Sequence, residues 1–80
     1  MLVKTEGIVL RFVKYGETSI IATILTRESG RSTYIVNGVR SARSRGKIAL
    51  YQPLSLLDMV VYQKEGRDIN RIAEIKSLAG

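Results

Sequence analysis

The stretch Ile69-Asn70-Arg71-Ile72-Ala73-Glu74-Ile75-Lys76-Ser77-Leu78-Ala79 can be read two ways, and the choice decides the fold. Ile72, Ile75, Leu78 and Ala79 form a stripe at helical spacing. Ile69, Arg71, Ala73 and Ile75 form one face of a strand. The local pattern alone leans to helix, but the chain that precedes it argues the other way.

Residues 3–15 are rich in Val, Ile and Leu, with Ile8, Leu10 and Phe12 alternating against Val9, Arg11 and Val13. This is the two-residue period of a strand, carried by β-branched side chains. Gly7 within it predicts a bulge or sharp bend. Gly16-Glu17-Thr18 reads as a turn. Residues 19–27 form a second strand, apolar on both faces and so central. Glu28-Ser29-Gly30 is a short hairpin connection. Residues 31–36 form a third strand, ended by the turn signal Asn37-Gly38. Residues 39–52 make one long connection. Its first half is basic and polar, and its second half can hold a short helix or turn before Pro53. Residues 54–63 read as a fourth strand and 64–68 as its turn.

Four strands with one long connection after the third need a fifth to close a small barrel. Residues 69–79 are therefore read as that strand. The expected fold is all-β: a five-stranded OB-fold barrel with a possible short helix between strands 3 and 4. An SH3-like barrel is the near competitor. Closing the sheet removes its exposed edges.

With 80 residues the chain suffices for one domain. A domain of this size buries only about 60% of the surface its unfolded chain exposes, so the core is thin. Hydrophobic residues make up 45% and charged residues 25%, a globular balance. The absence of Cys and His excludes disulfides, thiol and imidazole catalysis, and makes a zinc site an unpromising reading. No cofactor or metal is expected. Glu6, Glu17, Glu28, Asp58, Glu65, Asp68 and Glu74 are scattered, and no pair has the placement of an acid/base dyad. Nothing nearby could activate Ser41 or Ser44 as nucleophiles. No catalytic residues are expected. No apolar run approaches the roughly 20 residues that span a bilayer, and no secretory signal is visible, so a soluble cytoplasmic protein is expected.

The net charge of +6 points to polyanionic partners. Its position is more telling than its size. No acidic residue lies between Glu28 and Asp58, an interval that holds Arg31, Arg40, Arg43, Arg45 and Lys47. Elsewhere the two signs nearly balance. A nucleic-acid surface needs cations for phosphates and flat rings for bases. The expected cations are Arg31, Arg40, Arg43, Arg45 and Lys47, since planar guanidinium groups suit phosphate. The expected platforms are Tyr34 and Tyr51, which bracket the basic segment, with Tyr15 at the first turn. Phe12 reads as core and Tyr62 as half-buried. Few aromatics imply binding dominated by phosphate contacts, with strong salt dependence. Lys14, Lys64 and Arg67 sit at turns that line the binding face in OB-folds, though they read equally well as solvated turn charges. Two alternatives stay open: a protein-interaction module whose basic segment binds an acidic peptide, and an RNA-binding OB domain.

The ordered series Thr5-Glu6-Gly7-Ile8-Val9-Leu10-Arg11, Tyr15-Gly16-Glu17-Thr18-Ser19, Leu25-Thr26-Arg27-Glu28-Ser29-Gly30, Gly38-Val39-Arg40, Ser44-Arg45 and Gln52-Pro53-Leu54-Ser55-Leu56-Leu57 resembles the N-terminal domain of the RecO family of bacterial recombination-repair proteins. The resemblance spans nearly the whole chain. It implies an OB-fold, binding of single- and double-stranded DNA, strand annealing, and recombinase loading together with RecR on DNA coated by single-strand-binding protein. It implies DNA contact for Arg40 and Arg45; Arg43 and Lys47 extend that stretch in this sequence. Family members are longer, continuing into a helical domain that carries the contact with single-strand-binding protein. Residues 1–80 are accordingly expected to be a single OB-fold domain, the N-terminal part of a longer chain.

Overall fold

A computed structural model of the chain describes residues 1–40, 46–64 and 66–78. Five strands follow in order: β1 Leu2–Tyr15, β2 Ser19–Thr26, β3 Gly30–Val36, β4 Leu56–Tyr62 and β5 Ile69–Ser77. A 3-10 turn at Lys47–Tyr51 lies between β3 and β4. The strands close into a barrel in the order β1-β2-β3-β5-β4. All neighbours are antiparallel except β3 and β5, which are parallel. This is the five-strand Greek-key plan of an OB-fold. The ambiguous last segment is a strand, and the short element before Pro53 is the 3-10 turn.

β1 serves both halves of the barrel. Residues 2–8 pair with β4, and residues 7–15 pair with β2. At the crossover stands Gly7, where an added Cβ would lie 2.5 Å from Ile24 Cγ2 and 3.2 Å from Met59 Sδ. Glycine is needed there for close approach rather than for a bulge. The bulge falls at Leu10 instead: Val9 pairs with Ile24 and Arg11 with Thr23, leaving Leu10 without a partner. That extra residue reverses the inward parity of the strand. Val9 is inside before it, and Phe12 packs against the core after it. Ile8 and Phe12 therefore do not share a face as the simple alternation had suggested.

β5 contains a second bulge. Ile72 pairs with Val61 and Glu74 with Val60, leaving Ala73 over. The inward side chains Ile72 and Ile75 are consequently three apart, which is the spacing that imitates a helix.

β4 begins two residues later than the sequence suggested. Pro53 and Leu54 belong to a turn in which Leu54 has φ 71° and its N–H donates to Val9 O at 2.7 Å. The core is Val9, Ile20, Ala22, Ile24, Tyr34, Val39, Tyr51, Leu57, Met59 and Val61. Ile48 and Leu50 of the 3-10 turn pack against it beside Tyr51. The β2–β3 hairpin is tied by Thr26, whose Oγ1 donates to Gly30 O at 2.9 Å and accepts from Ser29 N at 3.0 Å.

Candidate nucleic-acid interface

β3 and β5 pair over only three positions, the last being Ile35 with Arg71. Beyond that point the two strands part, and a cleft of about 630 Å³ opens between them and the 3-10 turn. Lys47, Asn37, Tyr62, Arg71 and Glu74 line its polar parts, while Leu50 and Ile72 contribute apolar wall. A second cleft of about 400 Å³ continues around the β4–β5 turn, lined by Tyr62, Lys64, Arg67, Asn70 and Arg71. Tyr62 and Arg71 belong to both. The two clefts together form a track bearing Lys47, Arg71, Arg67 and Lys64. Among the described residues Glu74 is the one carboxylate along it.

Elsewhere on the barrel, two of the cations are paired with carboxylates. Arg27 pairs with Glu6 at 3.1 Å, and Lys76 stands 3.8 Å from Asp58. Arg27, Glu6 and Lys76 are exposed in these pairs and Asp58 is partly buried, so the pairs add little stability. Lys4, Arg11, Lys14 and Arg31 also lie off the track, so what distinguishes the track is that four cations line two adjoining clefts.

The expected site residues are not all brought together. Lys47 is exposed at the first residue of the 3-10 turn and lines the larger cleft. Arg40 follows the β3 turn, and its guanidinium is already engaged. Its Nε donates to Ser19 O at 3.1 Å, its Nη2 donates to Gly16 O, and its backbone N–H donates to Thr18 O at 2.8 Å. Arg40 thus ties the connection after β3 to the β1–β2 turn. Arg31 is exposed but stands at the other end of β3, paired with Leu25 and about 17 Å along the strand from Val36. Arg43 and Arg45 lie outside the described residues.

The two expected stacking platforms need correction. Tyr34 is fully buried and Tyr51 is 2% exposed. Tyr34 sits opposite Ala22 on β2, where a small residue leaves room for a large ring. Among the described residues its buried hydroxyl has no hydrogen-bond partner. Burial also pushes the Tyr51 hydroxyl up from its ordinary value of 10.0 to about 12. Neither ring offers a face to a base. The exposed tyrosines are Tyr15, at 53%, and Tyr62, at 49%, and only Tyr62 lines the track. Arg71 and Tyr62 were missed as track residues. Their signal was available in β4 and β5: Leu57, Met59 and Val61 alternate inward, which turns Tyr62 out, and Arg71 follows the buried Asn70.

Among the described residues no group of His, Cys, Asp or Glu could hold a metal ion, and no helix is long and apolar enough to cross a membrane.

The family described as "Recombination protein O N terminal" matches residues 1–80. The chain belongs to this family. Curated relatives named DNA repair protein RecO agree. The protein from Phocaeicola vulgatus is 43% identical over 77 residues, covering 96% of this chain and 32% of the relative. That from Chlorobaculum parvum is 45% identical over 69 residues, covering 86% and 26%. That from Bacteroides fragilis is 39% identical over 79 residues, covering 99% and 33%. The chain therefore spans about a quarter to a third of the length of these RecO proteins. Membership places the barrel in a DNA repair and recombination family.

Proposed function

We propose that this RecO-family barrel is a non-catalytic DNA-binding domain. It holds single- and double-stranded DNA through phosphate contacts along the track of Lys47, Arg71, Arg67 and Lys64, with Arg43 and Arg45 of the adjoining connection. The observation that carries the reading is the run of four cations lining two adjoining clefts, with Glu74 as the one carboxylate there among the described residues. Two strands repel through their phosphates. A basic surface lowers that cost and leaves base edges free to pair, which is the physical requirement for annealing. In proteins of the relatives' length, such a domain at the N-terminus would support annealing and recombinase loading in recombinational repair. RecR and single-strand-binding protein are the proposed partners there, and the cytoplasm the proposed place of action.

The test is affinity for a fluorescent single-stranded oligonucleotide across salt. Each phosphate neutralised contributes about −0.7 to the slope of log K against log salt on single strands. Replacing Arg43, Arg45 and Lys47 together by Ala should flatten the slope by about 2. Arg40 is kept intact in that variant, because its loss would disturb the β1–β2 turn as well. A salt-independent affinity, or an unchanged slope in the triple variant, contradicts the reading. Preference for an acidic peptide in competition would favour an interaction module, and equal-length RNA bound more tightly than DNA would favour the RNA reading.

A further inference from the structure

Tyr62 and Arg71 are directly opposed across the β4–β5 ladder. Opposed residues in an antiparallel pair have Cβ atoms about 5 Å apart on the same face. Here that face is the shared wall of both clefts. Lys64 and Arg67 flank it from the turn. The turn itself is held by Asn70, which is buried and whose Oδ1 accepts the Lys64 backbone N–H at 3.3 Å, and by Arg67 N–H donating to Lys64 O at 3.4 Å. Among the described residues, the smaller cleft has no carboxylate in its lining, and no side-chain hydrogen bond or ion pair engages Arg67 or Arg71. Its volume of about 400 Å³ lies in the range of about 300–1,000 Å³ usual for small-molecule sites.

A half-exposed ring surrounded by unpaired cations suits one nucleotide whose base lies on the ring while its phosphate meets a guanidinium. The base must be unpaired, since bases inside a duplex are already stacked and cannot reach the ring. Duplex phosphates, by contrast, remain reachable. Tyr15 has similar exposure but lines neither cleft, and serves as an internal comparison.

We propose that Tyr62, with Arg71 and Arg67, forms a stacking site for one unpaired nucleotide and so favours single-stranded over duplex DNA. The proposal rests on the DNA-binding reading and adds a strand preference to it. The test measures affinities of the chain for a single-stranded oligonucleotide and for the duplex of equal length at one salt concentration. Tyr62→Leu should weaken single-strand binding by between about 5- and 150-fold, the range expected for one lost stacking contact, and leave duplex binding unchanged. Tyr62→Phe should retain both affinities, and Tyr15→Leu should change neither. Arg71→Gln should weaken both and lower the single-strand salt slope by about 0.7. If Tyr62→Leu has no effect, or costs both DNA forms equally while salt-dependent binding persists, the stacking site is overturned and DNA binding stands. If the unchanged chain binds neither form, the DNA-binding reading fails. The site is then judged by the Tyr62 ring resonances during titration with a thymidine dinucleotide: an upfield shift at Tyr62 and none at Tyr15 supports it, and no shift overturns it.

Discussion

At the β1–β2 end of the barrel, the guanidinium of Arg40 donates to the carbonyls of Gly16 and Ser19, and on the 3-10 turn Tyr51 is sealed in the core. At the β4–β5 turn, Arg67 and Arg71 are exposed beside a cleft, and Tyr62 presents about half its surface. The same two residue types occur in both regions. In the first they hold the chain together; in the second they remain available. The comparison teaches that a basic or aromatic residue is a binding residue only when the fold has not already used it.

The largest contrast should come from the tyrosines. Tyr51→Ala removes a buried ring and should cost about 3–5 kcal/mol, by analogy with other large-to-small core substitutions, enough to unfold a domain of this size or nearly so. Tyr62→Leu should stay within about 0.5 kcal/mol of the parent. Denaturant titration of both checks this; equal losses would erase the distinction between the two ends.

Next come the arginines. Arg40→Gln loses charge-assisted bonds to two turn carbonyls. Because Arg40 is half-buried, we expect about 1 kcal/mol, or roughly 4–8 °C in Tm. Arg71→Gln should leave Tm in place and weaken oligonucleotide binding. Thermal melts beside binding curves would separate the two roles, and a fall in Tm for Arg71→Gln alone would reverse them.

A pH series sharpens the buried side of the contrast. The Tyr51 hydroxyl titrates near 10.0 when unfolded and near 12 when folded. Between those values the unfolded chain gives up this proton while the folded chain keeps it, so unfolding is increasingly favoured as pH rises. Stability should therefore fall from about pH 10 to 12, and Tyr51→Phe should reduce that fall. A pH-independent stability across that window would contradict the burial of Tyr51.

The smallest effect is expected at Tyr34. Its hydroxyl is buried without a partner among the described residues. Tyr34→Phe removes an unsatisfied group and should stabilise by up to about 1 kcal/mol. A clear loss of stability would mean that the hydroxyl has a partner.

Much of the fold was legible because strands of period two were separated by turn residues at short intervals. The fifth strand was recovered from topology rather than from its own pattern. The bulge at Ala73 explains why: it sets Ile72 and Ile75 three residues apart, and a reader sees a helix. The same device at Leu10 hides the common interior of Val9 and Phe12. A bulge is a relation between two strands and leaves no mark in either one alone. The candidate site was less legible for a related reason. Charge clustering pointed to the third connection, and Lys47 does line the track. However, the alternation Ser32, Tyr34, Val36 against Thr33, Ile35 does not say which face is inside. That depends on the pairing of Tyr34 with Ala22. Nor could it show that the separation of β3 from β5 after Ile35 would bring Arg71 and Tyr62 to the same cleft as Lys47.

The most direct test of the central claim is backbone amide shift mapping of the chain with an added single-stranded oligonucleotide. The account predicts that shifts concentrate at Asn37, Lys47, Tyr62, Lys64, Arg67 and Arg71, and that they fade as salt is raised. Shifts confined instead to the apolar surface of Ile8, Leu25, Leu56 and Leu78 on the other side of the β1 crossover, or the absence of any shift at low salt, would contradict it.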